Sequence, residues 1–514
     1  MKWIGRIRLA ASLLGIASVL NAQDTSTVAS PQMASLTLEE AIDLAKRNNP
    51  TFLQTMNDLG PAAWGVRAAN ANLFLPNANL AFFTAWQDAG QQRLGGATFP
   101  QPSVLLSQYQ FSLSYTLNGQ TLFQPGQRRA ERRAAERRVD DAELTLENQV
   151  TSAYLEVLRL QARAEQAERE LRRTQEHLRL AEAREQVGAG TRLETMQANV
   201  AQGRAQVALL QAQNAARVAK LRLVQAVGVQ VPADQIELVS EFQVFEPDVE
   251  LNELLQDALR ANPSLVAARA DQNAASSTVK VAKAAYFPTL SLRASWSGFA
   301  REETDPDASI AQSVSSQRQQ TAATRELCTV FNDLFTATSL AVPPEFQNCQ
   351  SFQFTPADSA ALADQLIAQN DVFPFDFENE PVTLSASFSI PLFNGFDRQL
   401  EVEQAVAQRN DLNHEVRALE LQLRADVTEA VHNLETAYQT VQLQDENVES
   451  AREELRLSQE RYQLGAGTFL ELLDSQTLAA QAEVDQIEAV FQFHQALATL
   501  EAAVGHSLGL SAGN

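Results

Sequence analysis

Four anchors occur twice in this chain and in the same order, so one structural plan is used two times. Asn49-Pro50 recurs as Asn262-Pro263 and Leu75-Pro76 as Phe287-Pro288. The turn from Val187 to Thr191 recurs from Leu464 to Thr468, and an Ala-Val-Gly ending at Gly228 recurs ending at Gly505. The copies lie 213 residues apart at the asparagines and 277 apart at the turns. The second copy has therefore gained about 64 residues in between, and a chain so built reads as one elongated assembly rather than a compact core.

Each copy holds two segments of strict apolar and polar alternation, the mark of a strand with one apolar face. Tyr109, Phe111, Leu113, Tyr115 and Leu117 face one way, with Gln110, Ser112, Ser114 and Thr116 opposite. In the second copy Val382, Leu384, Ala386, Phe388 and Ile390 oppose Thr383, Ser385, Ser387 and Ser389. The partner strands place Leu80, Phe82 and Trp86, and Leu290, Leu292 and Trp296, on the apolar side. Ser291, Arg293, Ser295 and Ser297 face water. Strands of this length and pattern fit a transmembrane barrel, lipid outside and water within. Four strands cannot close a barrel alone, so the pattern points to oligomerisation; three protomers would supply twelve strands, an even number. A soluble sandwich with one wet face is the competing reading.

Between strands and turns the periodicity predicts long helices, roughly Gly126 to Gln186 and Gly395 to Tyr462, with return helices from Arg192 to Val227 and Phe469 to Val504. All four are read as free of proline. In the first, Leu146, Val150, Ala153, Val157, Leu160, Ala164, Ala167, Leu171, Thr174, Leu178 and Ala181 advance by fours and threes, a coiled-coil seam. A solvated coiled-coil tether, or a periplasmic adaptor built on one hairpin without membrane strands, is the alternative. Two hairpins joined to membrane strands argue against both.

The chain opens with Lys2, Arg6 and Arg8, an apolar run from Leu9 to Leu20 and a small-residue site at Asn21-Ala22-Gln23, the pattern of a secretory signal, so a mature start near Gln23 is expected. No later stretch is apolar enough for a spanning helix. The net charge of -23 argues against nucleic acid as a partner. His177, His414, His432, His494 and His506 lack metal-ligand spacing, and neither a phosphate loop nor a nucleophile elbow is present. No catalytic residue, metal or cofactor is expected, and the chain does not read as an enzyme.

Residues Leu36 to Pro50 and their repeat from Glu250 to Pro263, the strand-to-helix passage from Phe388 to Ala405, and the turn region from Arg461 to Gln476 resemble the outer membrane efflux protein family, the TolC-like channels. The resemblance covers nearly the whole mature chain. It implies a mixed fold of transmembrane β-structure and helix: a homotrimeric 12-stranded β-barrel continued by an α-helical tunnel of antiparallel coiled-coil hairpins. The implied division is a signal peptide at 1–22, an N-terminal segment with an equatorial helix at 23–73, and a first β-hairpin at 74–118. The first helical hairpin follows at 119–228 and a second equatorial region at 229–286. A second β-hairpin at 287–392 carries an extracellular insertion at 299–381, and a second helical hairpin at 393–505 precedes a tail at 506–514. The implied role is a passive exit duct of a tripartite efflux pump or type I secretion system. It would sit in outer-membrane lipid, extend into the periplasm, and be served by a periplasmic adaptor and an inner-membrane transporter.

The resemblance also assigns a periplasmic gate. Glu471 and Asp474, three apart on one helical face, match the carboxylates that ring the closed throat. Glu194 and Tyr462 match a link between neighbouring hairpins. The family's arginine in the second tip is replaced by Gly467, and Arg192 is the expected substitute. Adaptor docking is placed on the turns with Gly188, Gly190, Thr191, Gly465, Gly467 and Thr468. Six arginines, Arg128, Arg129, Arg132, Arg133, Arg137 and Arg138, crowd the start of the first long helix, where interleaved Glu131 and Glu136 favour a solvated face over a lipid contact.

The extra residues fall between the strands of the second copy. From 301 to 380 they carry 3 basic and 13 acidic residues and the only two cysteines, Cys328 and Cys349, which are expected to pair. The apolar stretch from Val372 to Phe377 is expected to fold over the pore mouth as part of a stapled lid.

Overall fold

The computed structural model describes residues 36–508, apart from 231, 233–235 and 241. The expected signal segment and mature start lie outside the described residues. Two compact units form, one from residues 36–59, 134–270 and 414–508, the other from 60–133 and 271–413.

In the first unit, α1 (Leu38–Asn48) is capped by Thr37 and followed by α2 (Pro50–Asn57), while α6 (Leu251–Ala261) is followed by α7 (Pro263–Lys283). The helices α4 (Gly119–Gln186) and α5 (Arg192–Val227) make one antiparallel hairpin, and α11 (Asp397–Gln463) and α12 (Phe469–Val504) another. At 68 residues α4 is about 100 Å long. Every residue of its expected seam is buried or half-buried, and Leu146, Val150 and Val157 pack with Leu223 and Val227 of α5 and Ala41 and Ala45 of α1. Leu423, Val427 and Leu434 of α11 pack likewise with Phe493, Leu497 and Leu500 of α12 and with Leu254, Ala258 and Leu265.

The repeated anchors touch. Asn49 donates from Nδ2 to the Ala226 carbonyl at 2.8 Å while its Oδ1 caps Thr51 and Phe52; Asn262 donates to Ala503 at 3.0 Å while capping Ser264 and Leu265. One asparagine thus starts a helix and ties it to the end of a hairpin. Gly228 and Gly505 terminate α5 and α12 at φ +79° and +98°, and a Cβ on either would lie within 2.6–2.7 Å of Asn48 or Asn262 backbone. Both glycines are required by conformation and by space.

In the second unit, α3 (Leu59–Phe74) leads into β1 (Asn77–Gln87), a small hairpin of β2 (Gly90–Leu94) and β3 (Ala97–Gln101), and β4 (Val104–Leu117). The second copy supplies β5 (Thr289–Glu303), the two-residue β6 (Glu378–Asn379) and β7 (Thr383–Ser389). The sheet runs β1, β4, β5, with β6 and β7 both paired to β5, all antiparallel. Its register aligns one chemistry per face. Leu80, Phe111 and Trp296 form one cross-strand row, and Tyr115, Leu292 and Ala386 another. The opposite face reads Asn79, Ser112, Ser295 and Thr383, then Ser114, Arg293 and Ser385.

Two expectations need correction. The helix α4 starts at Gly119, not Gly126, and so contains Pro125. Asn118 accepts from Thr121 N at 2.8 Å and its own N–H donates to Thr121 Oγ1, a cap that starts the helix ahead of the proline. Strand β5 runs to Glu303, beyond the expected boundary at 298, because β4 pairs it as far as Val104. The insertion is helical: α8 (Asp307–Ala337), the single turn α9 (Pro344–Gln347) and α10 (Pro356–Asn370). A disulfide joins Cys328 to Cys349, and Phe331 and Phe335 stack on Phe346 beside it at 5.1 and 6.2 Å.

Candidate functional site

The expected gate lies at the two hairpin tips, which share one backbone design. In the first, Gly188 takes φ +70° after α4, and the N–H groups of Ala189 and Gly190 donate to the Arg184 carbonyl at 2.8 and 3.0 Å. In the second, Gly465 takes φ +73°, and Ala466 and Gly467 donate to the Arg461 carbonyl at 2.8 and 3.1 Å. Left-handed glycine lets these bonds close the last turn. Thr191 and Thr468 then cap the return helices, accepting from Glu194 N and Glu471 N at 3.3 and 3.2 Å.

The side chains between these matched frames differ. Glu185 closes its own hairpin by accepting from Thr195 Oγ1 at 2.5 Å. The equivalent position in the second tip is Tyr462, which crosses to the other hairpin. Its ring is buried, 5.7 Å from the Phe469 ring centroid, and its hydroxyl donates to Glu194 Oε2 at 3.1 Å. Arg184 lies over that ring with Cζ 4.5 Å from the centroid, and donates to the carbonyls of Tyr462 and Ala189 at 3.1 and 3.3 Å. Burial, reinforced by the Glu194 carboxylate, pushes the Tyr462 phenol above its ordinary value, so it remains a donor at neutral pH.

The structure therefore brings Glu194 and Tyr462 together and supplies the cation from Arg184. Arg192, the expected substitute, stands exposed at the head of α5, with no hydrogen bond or ion pair among the described residues. The signal was in the repeat: Arg184 and Arg461 occupy equivalent positions four residues before Gly188 and Gly465. Glu471 and Asp474 are exposed on α12. Glu471 also caps its helix, accepting from Thr468 N at 3.3 Å, and Arg461 approaches it to 3.8 Å. Apolar Val187 and Leu464 are exposed beside the turn glycines.

Farther along the hairpins an ion cluster around buried Glu483 joins α4, α11 and α12. Glu483 accepts from Arg173 at 2.7 Å and Arg452 at 3.4 Å, and Arg173 also approaches Glu170 to 3.1 Å. Burial alone would raise the Glu483 carboxyl, but the Arg173 bond overcomes it and holds it below its usual range; Glu170 is pushed up by burial. No patterned motif marks this cluster in the sequence.

The outer membrane efflux protein family matches residues 41–229 and 362–506, more than half of the chain. The chain belongs to that family. This efflux protein is 26% identical over 478 residues to the pyoverdine export outer membrane protein OpmQ of Pseudomonas aeruginosa, covering 90% of this chain and 83% of the relative. It is 26% identical over 486 residues to OpmQ of Pseudomonas putida, covering 92% and 86%. Among solved structures it resembles VceC of Vibrio cholerae, with a TM-score of 0.65 at 18% identity over 91% of this chain and 96% of that one. The CmeC outer membrane channel of Campylobacter jejuni gives 0.68 at 14% identity over 91% and 85%. The fold is thus that of the TolC-like channels, and the protein is an outer-membrane efflux protein.

Proposed function

We propose that three copies assemble into a passive exit duct: a twelve-stranded barrel in the outer membrane, continued by an α-helical tunnel into the periplasm. The internal repeat supplies two hairpins per copy. The observation that carries this reading is the sheet. Its four strand positions present one apolar and one polar face, while β1 and the β6 and β7 side have no further partner among the described residues. Edges of this kind are not tolerated in hydrocarbon, and identical neighbours would close them.

The tip link of Arg184, Tyr462 and Glu194 would hold the closed state, with Glu471 and Asp474 as the charged rings of the throat. The exposed turns at Gly188, Gly190 and Thr191, and at Gly465, Gly467 and Thr468, flanked by Val187 and Leu464, would receive a periplasmic adaptor that couples the duct to an inner-membrane transporter. A tripartite efflux pump and a type I secretion system both fit this plan. Two relatives are named for pyoverdine export, so a small secreted metabolite is the cargo we propose to test first.

The test is conductance in a planar bilayer. The purified protein should form discrete cation-preferring channels blocked by trivalent cations from the periplasmic side. A protein that inserts without conducting, or that prefers anions, would contradict the reading.

A further inference from the structure

The apolar stretch expected to cover the pore mouth does something else. Residues 372–377 lie as an irregular strap across the apolar face of the sheet. Phe373 N donates to Glu302 Oε2 at 3.0 Å, and Ser107 Oγ donates to the Pro374 carbonyl at 2.6 Å. The Phe377 ring packs 4.9 Å from Tyr109 and 6.2 Å from Phe82, and Phe375 lies 6.0 Å from Phe82. Tyr109 Oη donates to Asn379 Oδ1 at 2.7 Å.

The sheet is built to receive it. Ser107, Ala300 and Gly298 make a track of small residues on an otherwise bulky face, with Ser107 and Ala300 almost fully covered. A Cβ at Gly298 would meet the Tyr109 ring at 2.5 Å and the Glu378 carbonyl at 3.0 Å.

If the apolar face meets lipid, an irregular segment on it is excluded from hydrocarbon, where each backbone group left without a partner would cost several kcal/mol. Glu302 on that face and the exposed Asp376 in the strap reinforce the exclusion. We propose that this strap fixes the outer edge of the lipid band, and that the partner of the face below it is the acyl chains of the outer leaflet. The inference rests on the barrel reading. Strand β4 continues above the strap to Val104 and β5 to Glu303, so the upper ends of these strands stand in water. Trp86, paired with Leu105, stands level with Glu302 at the strap's upper contact; Trp296, paired with Phe111, lies below the strap.

Below the strap only residues 111–117 of β4 remain, and a tilted strand of that length spans about 18 Å against a lipid band of about 25 Å. The remainder must come from the strand-to-helix junction, where Phe74, Leu75, Leu392, Phe393 and Phe396 are exposed. The bilayer thus sits lower on this chain than its strand ends suggest.

The test uses trimers reconstituted in phosphatidylcholine vesicles with and without bromine on the acyl chains, in variants retaining only Trp296 or only Trp86, the other tryptophans replaced by phenylalanine. Brominated lipid should quench Trp296 at least about two-fold and leave Trp86 nearly unchanged, since only the former would lie in hydrocarbon. Iodide, a quencher confined to water, should give the reverse order. Equal quenching of both tryptophans by brominated lipid would overturn the strap as boundary while leaving the barrel intact. Quenching of neither would mean that the apolar face does not meet lipid, and the barrel reading itself would fall.

Discussion

The two hairpin tips share a backbone and diverge in their side chains. Each has an arginine whose carbonyl closes the turn, a left-handed glycine, and a threonine cap directly before the return helix. Yet Glu185 bonds within its own hairpin, whereas Tyr462 reaches across to Glu194 and is covered by Arg184. Duplication kept what the backbone requires and released what the side chains do.

That asymmetry can be broken most severely at the link itself. Combining Arg184→Ala with Tyr462→Phe removes a cation–π contact, two bonds to carbonyls and the bond to Glu194, interactions of about 1–3 kcal/mol each at a partly dehydrated site. Single-channel conductance or open probability should rise several-fold. The matched Arg461→Ala with Glu185→Gln should change either far less, and equal effects would mean that the tips are functionally equivalent.

A second expectation concerns the charged rings. Glu471→Gln with Asp474→Asn should weaken block by trivalent cations about ten-fold, because the like charge of the proposed throat would be lost while the helix remains. Unchanged block would place the constriction elsewhere.

The copies differ again in their strand connections, a short hairpin in the first and the stapled helical insertion in the second. Opening the disulfide with Cys328→Ser and Cys349→Ser should loosen α8 and α9 by about 3 kcal/mol on the chain-entropy account, since the bridge closes a loop of 21 residues. Protease should then cut between residues 328 and 349 sooner, with the strands untouched. Equal cutting rates would leave the bridge without a stabilising role.

The smallest effect is the most local. His494 is buried against Phe242 and Phe493 at 5.3 and 5.2 Å, while its counterpart in the first copy, Arg217, is exposed. Burial lowers the His494 pKa from 6.5 to about 4, so the unfolded chain takes up the proton first. Stability from this site is complete above pH 6.5 and declines as pH falls toward 4, by up to about 1.4 kcal/mol per unit. The variant His494→Gln should flatten the fall in Tm between pH 7 and pH 5, and an identical slope would remove His494 as its cause.

Periodic and backbone-imposed features were legible in the sequence. The heptad seam from Leu146 to Ala181, the alternating strands and the asparagine and glycine anchors each follow from geometry that a single segment imposes. What escaped depends on which segments meet. Arg184 carried the same turn motif as Arg461, but its stacking on Tyr462 requires knowing that the two hairpins face one another. The helices of the insertion were hidden because α8 is rich in serine, threonine and glutamine and offers no long apolar stripe toward a core. Val372 to Phe377 read as apolar correctly, but its place on the sheet depends on Ser107, Ala300 and Gly298, whose small size has no signature of its own. The early start of α4 was masked by Pro125, which lies inside the helix that Asn118 caps.

The mass of the protein extracted from outer membranes in mild detergent tests the central claim most directly, because the proposed barrel closes only if identical copies pair the two sheet edges left open among the described residues. Light scattering corrected for bound detergent should give the mass of three chains. A stable, folded species with the mass of one chain would contradict the account.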